Sequence, residues 1–460
     1  MSTEFGAARF RRLLYGSIAV VSLLAAGLVA ANLTQGPQLT SAQINVNTAV
    51  DRAGQRLLLT TNEQLNPVTP EQVTVSPAAA ATATVNGSSI DLQFTGILSY
   101  NTSYTVSVAD VASISAGATS TLSYTFTTAN PTVYFLAPAT STTGADSGLS
   151  DAVLAAPVGG GEPKAVYSAP RIRQFVAFPD ALVVDTVNDD GTDALTIVSL
   201  TGAAPVQVDL AGPGTVTALK ANPASKLFGY TFTPQPSPLY PTAPDQLYAY
   251  DITRGKDYTI PITGTDYQVL TATNWMFIPG TTSLVAQTPD DSLLLIDTLG
   301  EREGTSGASV IGKVDALEGF VPTTKTLVTT AGGAHTAIDF GQAGNPSGAF
   351  PLASGAGASE SAASGTAGTA IVDASGTALR IVDSGAGAST SVAKVAADGT
   401  STALFSVTEL GRSITGACVS PNGNYAVVAT SDQQLSYVDL ADGTVLSTVA
   451  GMSPNWCSAR

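Results

Sequence analysis

The chain reads as an all-β protein in two parts, a small β-sandwich followed by a long array of repeated β units, behind one amino-terminal apolar helix. Three observations predict this. From residue 38 onward, short segments rich in Val, Thr, Ile, Tyr and Phe alternate with turn residues. After residue 131, a strand–turn–strand–turn–strand unit recurs at spacings of about 40–50 residues. The one long uncharged run, Leu13–Leu33, precedes both regions.

Composition supports cores and narrows the partners. Of 460 residues, 44% are hydrophobic and only 12% charged, which excludes a disordered polyelectrolyte. Nineteen basic residues against 35 acidic ones give a net charge of −16. Nucleic acid is therefore not an expected partner, because phosphate contacts need clustered Lys and Arg. One histidine and two cysteines exclude most zinc and iron–sulfur sites, and most His-dependent mechanisms other than one built on His335.

The amino-terminal run LLYGSIAVVSLLAAGLVAANL has 21 residues. As a helix it reaches about 30 Å, the thickness of a hydrocarbon core. Arg9, Arg11 and Arg12 flank it, and the next basic residue is Arg52. The positive-inside rule places residues 1–12 in the cytoplasm and residues 34–460 outside. The expectation is a single-pass signal anchor at residues 13–33, embedded in the cell membrane's lipid bilayer. The alternative is a signal peptide cleaved at Val29-Ala30-Ala31, which gives a secreted protein. No cysteine lies near the end of the run, so a lipoprotein anchor is excluded.

Residues 38–130 form the first β region. Ile44–Val50, Gln55–Thr61 and Val73–Pro77 are expected strands, and Asn86-Gly87 centres a hairpin. Tyr104, Val106 and Val108 alternate on one face, as do Leu122, Tyr124 and Phe126. About seven strands in about 90 residues fit an immunoglobulin-like sandwich without the Cys…Trp…Cys pattern of antibody domains. LLLTTNEQLNPVTPEQVTV, SYNTSYTVSV and YTFTT resemble the bacterial Ig-like domains of surface-layer and other envelope proteins. The resemblance implies a spacer or binding module.

In residues 131–460 the clearest repeat is SPNGNYAVVATSDQQLSYVDLADGTVLSTVAG, Ser420–Gly451. Copies follow the same grammar at Phe178–Asp209 and Phe277–Leu299, and looser ones begin at Ala221, Phe320 and Thr369. The unit resembles the YVTN-type β-propeller repeat, a relative of WD-repeat propellers. The resemblance implies blades beginning near 171, 215, 270, 314, 365 and 411. YFLAP, AVLAAPV and KAVYSA within residues 133–168 supply later strands of another blade, and the tail SPNWCSAR supplies its first strand. Seven blades result, with six or eight as alternatives. Such closure hides the free edges of the ring.

The two cysteines join this closure. Cys418 and Cys457 are both assigned to first strands of neighbouring blades, where inner strands converge. An exported chain with an even cysteine count permits a disulfide between them. It would close about 40 residues and contribute about 4 kcal/mol on the loop-entropy model. Two segments decorate the ring: the proline-rich Phe232–Pro244, a candidate binding loop, and the low-complexity Leu352–Gly368.

Chemistry-bearing motifs are sparse. His335 lies in GGAHTAIDF without a G-x-S-x-G motif, so a serine hydrolase is not expected. Asn188, Asp190 and Asp193 sit around a glycine in NDDGTD, a shortened calcium-type loop and equally an acidic hairpin tip. No other cofactor is expected, and no catalytic residue is assigned. The leading reading is a non-enzymatic, membrane-anchored envelope protein whose Ig-like stalk presents a propeller to a protein or cell-wall glycan. A cell-wall or sugar-directed enzyme in the propeller channel and a structural surface-layer component are the rivals.

Overall fold

A computed structural model describes residues 36–115, 117–139, 150–236, 245–254, 259–298, 307–353, 369–383, 390–409 and 411–458, with Tyr15, Ser17, Ile18 and residues 20–22 ahead of them. Those six amino-terminal residues are helical and exposed, and the rest of the expected anchor at 13–33 lies outside the described residues. Among the described residues no helix is long and apolar enough to cross a membrane. Single-pass anchoring therefore rests on the sequence alone. Most of the proline-rich loop (237–244) and of the low-complexity stretch (354–368) also lie outside the described residues.

The chain divides into two compact units, through Ala129 and from Asn130. The first contains two antiparallel sheets. One orders Leu39–Gln43, Arg56–Thr61, Ser89–Phe94 and Ala81–Asn86; the other orders Val73–Ser76, Ser103–Ala112 and Thr119–Thr127. Period-two alternation makes both sheets line one core. Leu57, Leu59, Ile90, Leu92 and Phe94 meet Tyr104, Val106, Val108, Leu122 and Phe126. The expected strand at Ile44–Val50 is corrected: the edge strand is Leu39–Gln43, and Thr48–Val50 is a 3₁₀ turn. Asn45 causes this, because its side-chain oxygen accepts from the Thr48 N–H at 3.1 Å and its carbonyl from Ala49 at 3.0 Å.

The second unit is a succession of seven small antiparallel sheets among the described residues. Sheet one has three strands, Thr132–Ala137, Asp151–Pro157 and Lys164–Ala169. The other six have four strands each in sequence order, and their first strands are Ile172–Ala177, Gly214–Asn222, Asn274–Phe277, Ala316–Phe320, Thr369–Ile371 and Ile414–Val419. The first strands of consecutive sheets lie against one another from sheet two to sheet seven. This is a propeller-like arrangement. Apolar clusters fill the seams: Val153 with Phe175 between sheets one and two, Val183 with Phe228 between two and three, Ala249 with Leu284 between three and four. Val285 with Leu327, Val328 with Ile371, and Leu379 with Val428 continue the series to sheet seven.

The seam from sheet seven back to sheet one is made by the carboxyl terminus together with Ser447, whose hydroxyl donates to the Val158 carbonyl at 2.8 Å. Met452 bridges Leu136, the inner edge of sheet one. The expectation that SPNWCSAR forms a full first strand is corrected here. The chain makes this one bridge and then a short helix, α1 (Asn455–Ser458), so Cys457 lies on a helix and not on a strand. Ser453 takes a left-handed φ of 50°, and Pro454 has no N–H to donate, so the ladder cannot continue. Cys418, on the first strand of sheet seven, is disulfide-bonded to Cys457 with Cα atoms 5.5 Å apart.

Candidate functional site

The sheets present one end of the ring where first strands begin and second strands end. A bulge recurs there, near the start of the first strand, in sheets two, three, five and seven. It leaves Arg173, Thr217, Glu318 and Thr415 outside the ladder register. Bulges re-aim side chains, and each of these four is polar. Arg173, Thr217 and Thr415 are exposed, and Glu318 is half-buried. Each second strand of sheets two to seven carries a buried polar side chain: Asp185, Thr231, Gln287, Thr329, Arg380 and Thr430.

The densest cluster joins sheets two and three. Arg173 reaches Asp193 at 3.0 Å and Asp185 at 4.0 Å. Gln174 donates from Nε2 to Asp185 Oδ2 and to the Val216 carbonyl, both at 3.0 Å. The Val216 N–H donates to Asp193 Oδ2 at 2.7 Å. Asp185 is fully buried, and its Oδ1 has no hydrogen-bond partner among the described residues. Burial pushes its carboxyl up to about 7, helped by the neighbouring Asp193 charge and opposed by Gln174 and Arg173. The bonds to Val216 show that part of this cluster pins one sheet to the next.

A second group lies on sheet five. Thr330 donates its hydroxyl to Glu318 Oε1 at 2.6 Å, and His335 Nδ1 lies 3.1 Å from Thr330 Oγ1. With that proton given to Glu318, His335 Nδ1 is the donor in its contact with the Thr330 hydroxyl. A third lies between sheets three and four. Lys220 Nζ donates to the Trp275 carbonyl at 2.7 Å and to Asn274 Oδ1 at 3.3 Å, and sits 5.4 Å from the Trp275 ring centroid. Burial lowers this amine to about 8. The indole in turn donates to Thr231 Oγ1 at 2.9 Å.

The residues singled out as a calcium loop do not converge on one point. Asn188 and Asp190 both bond Thr192, with Asp190 Oδ1 accepting its N–H at 2.9 Å and its hydroxyl at 2.6 Å. Those bonds hold the Asp190 carboxyl below its ordinary value. Asp193 begins the next strand, is buried, and turns to Arg173 and Val216. Among the described residues no group of three or more His, Cys, Asp or Glu side chains is gathered as a metal site would gather them.

The sequence reading passed over Arg173, Asp185 and Lys220. A signal was present for one of them: Asp185 interrupts ALVVDTV, an apolar run that otherwise reads as a fully buried strand. Its partners come from other strands and a neighbouring sheet, so the cluster itself has no linear signature.

The same end of the ring carries a small ordered hairpin between sheets three and four. Thr263 bridges Val269, and the Gly264 N–H donates to the Gln268 carbonyl at 2.9 Å. Tyr267 stands at its tip with a left-handed φ of 63° and is 72% exposed.

No protein-family model matches the chain, and no curated protein matches it. Solved structures similar to it include the β-propeller domain of Cps50 (Swd1) from Myceliophteria thermophila, at 14% identity and a TM-score of 0.38 over 62% of this chain and 88% of that one. The C-terminal WD40 domain of Sif2 is similar at 14% identity and TM-score 0.36, over 68% of this chain and 83% of that one. The computationally designed Ika8 protein is similar at 15% identity and TM-score 0.39, over 69% and 88%.

Proposed function

We propose that this chain is an exported binding scaffold in which a seven-bladed propeller offers the loops at its bulged end to a protein partner. The amino-terminal unit acts as an Ig-like stalk, and the apolar run at 13–33 holds the chain to the bilayer. A cell-wall glycan is the alternative ligand at the same loops. The observation that carries the reading is Tyr267. An aromatic ring held in a left-handed turn and 72% exposed costs backbone strain and leaves apolar surface in water, which a binding role offsets. The reading is non-enzymatic because Asp193, Glu318 and His335 are spent on bonds within the ring. The cysteine bond supports export, since such bonds persist in oxidising compartments.

The test is capture from a detergent-solubilised envelope extract with wild type and Tyr267→Ala in parallel. A protein retained by the wild type and lost at least tenfold by the variant, at an unchanged thermal midpoint, supports the reading. An identical capture profile from both refutes the role of this end.

A further inference from the structure

The seam between sheets seven and one is built unlike the other six. Leu136 and Met452 exchange both backbone hydrogen bonds, at 2.8 and 2.7 Å. Asn455 Oδ1 accepts from the Tyr134 N–H at 2.9 Å. Trp456 is buried, and its ring meets that of Tyr437 edge-on at 5.1 Å. Helix α1 touches the first strands of sheets two, three and seven, and also the Thr132–Ala137 strand of sheet one. Elements of four different sheets meet only on the inner side of the ring, so α1 sits at the channel. The segment that closes the ring therefore also fills part of its channel.

We propose that residues 452–458 form a disulfide-latched plug that reduction releases. Cys418 is on the first strand of sheet seven and Cys457 on the plug, so the S–S bond cross-links the plug to that strand. Cys457 is half-buried, so an attacking thiolate reaches its sulfur more readily than that of buried Cys418. A dithiol reductant donates two electrons: the S–S bond breaks, both cysteines become thiols, and the dithiol leaves as its own disulfide. The bridged pair, the Asn455 bond and the packing of Trp456 then hold the segment against the backbone entropy of seven ordered residues. The plug leaves, the channel widens, and the inner edge of Thr132–Ala137 is uncovered. The other six seams keep their apolar clusters, so the ring persists.

Residue-resolved amide hydrogen exchange on the full chain tests this, in the oxidised protein, after dithiothreitol, and in Cys457→Ser without reductant. Leu136 and Met452 amides should exchange at least tenfold faster in the last two states, with Val184 and Leu284 unchanged. Unchanged protection at Leu136 and Met452 after reduction overturns the proposal, because the segment then stays seated without its tether. Loss of protection across every sheet also overturns it, since the bond would then be a staple for the whole ring. So does a bond that dithiothreitol leaves intact in the native protein, read by alkylation and mass. If Cys457→Ser does not fold, the reduced wild type decides, because it is reduced after folding.

Discussion

Replacing Asp185 by Asn should stabilise the second unit at alkaline pH and not at acidic pH. The carboxyl is fully buried and its ordinary value of 3.8 rises to about 7. Below 3.8 the folded and unfolded chains both hold the proton, and the group contributes no pH dependence. Between 3.8 and about 7 the unfolded chain ionises while the folded one does not, so stability falls as pH rises through this window. Above about 7 the penalty is constant. Three units correspond to roughly 4 kcal/mol as an upper bound, with most of it arriving between pH 5 and 8. Asn presents the same shape without the charge, and its amide oxygen still accepts from Gln174. Arg173 keeps Asp193 at 3.0 Å, so it is not orphaned. Urea unfolding of the full chain at pH 5 and pH 8 measures the difference. Asp185→Asn should gain on the wild type by about 3 kcal/mol more at pH 8 than at pH 5. An equal effect at both pH values would show that Asp185 is ionised in the fold. A loss at pH 8 would show that the Arg173 attraction outweighs burial.

Gly229→Ala should cost about 1–3 kcal/mol, because a Cβ there would stand 2.7 Å from the Trp275 ring and 3.2 Å from the Tyr248 carbonyl. Thermal unfolding reads the loss, and Trp fluorescence should shift as the indole moves from Thr231. Residues 36–129 alone should give a dispersed amide spectrum, since Leu57, Phe94 and Val106 pack in a core made within that unit; a collapsed spectrum would refute its independence. Within the same fragment, Leu59→Ala should cost about 2–5 kcal/mol, measurable by urea unfolding.

Much of the architecture was legible because β structure announces itself locally. Expected repeat starts near 171, 215, 270, 314, 365 and 411 compare with observed first strands at Ile172, Gly214, Asn274, Ala316, Thr369 and Ile414. Turn residues and apolar runs mark those boundaries within a few residues of chain, and a repeated unit states them several times. The pairing of Cys418 with Cys457 was also legible, from the convergence expected on the inner side of a ring, although Cys457 reaches it from a helix and not from the expected first strand.

Local pattern failed where a distant group or a single residue outweighed it. Ile44–Val50 has the texture of a strand, yet Asn45 bonds its own backbone and turns the chain. SPNWCSAR echoes TNWMFIPG, yet Pro454 ends the ladder after one bridge and sends Trp456 into the ring. The Arg173–Asp185–Asp193 cluster depended on tertiary structure throughout. Arg173 sits on a bulge, Asp185 on the next strand, Asp193 on the third, and Val216 on another sheet. Sequence determined the strands, the turns and the number of repeated units it could read, because those follow from side-chain alternation along the backbone. Which charges pair, which carboxyl loses its water and which segment fills the channel were decided only when the ring closed, because solvation and Coulomb energies depend on distance in space and not along the chain.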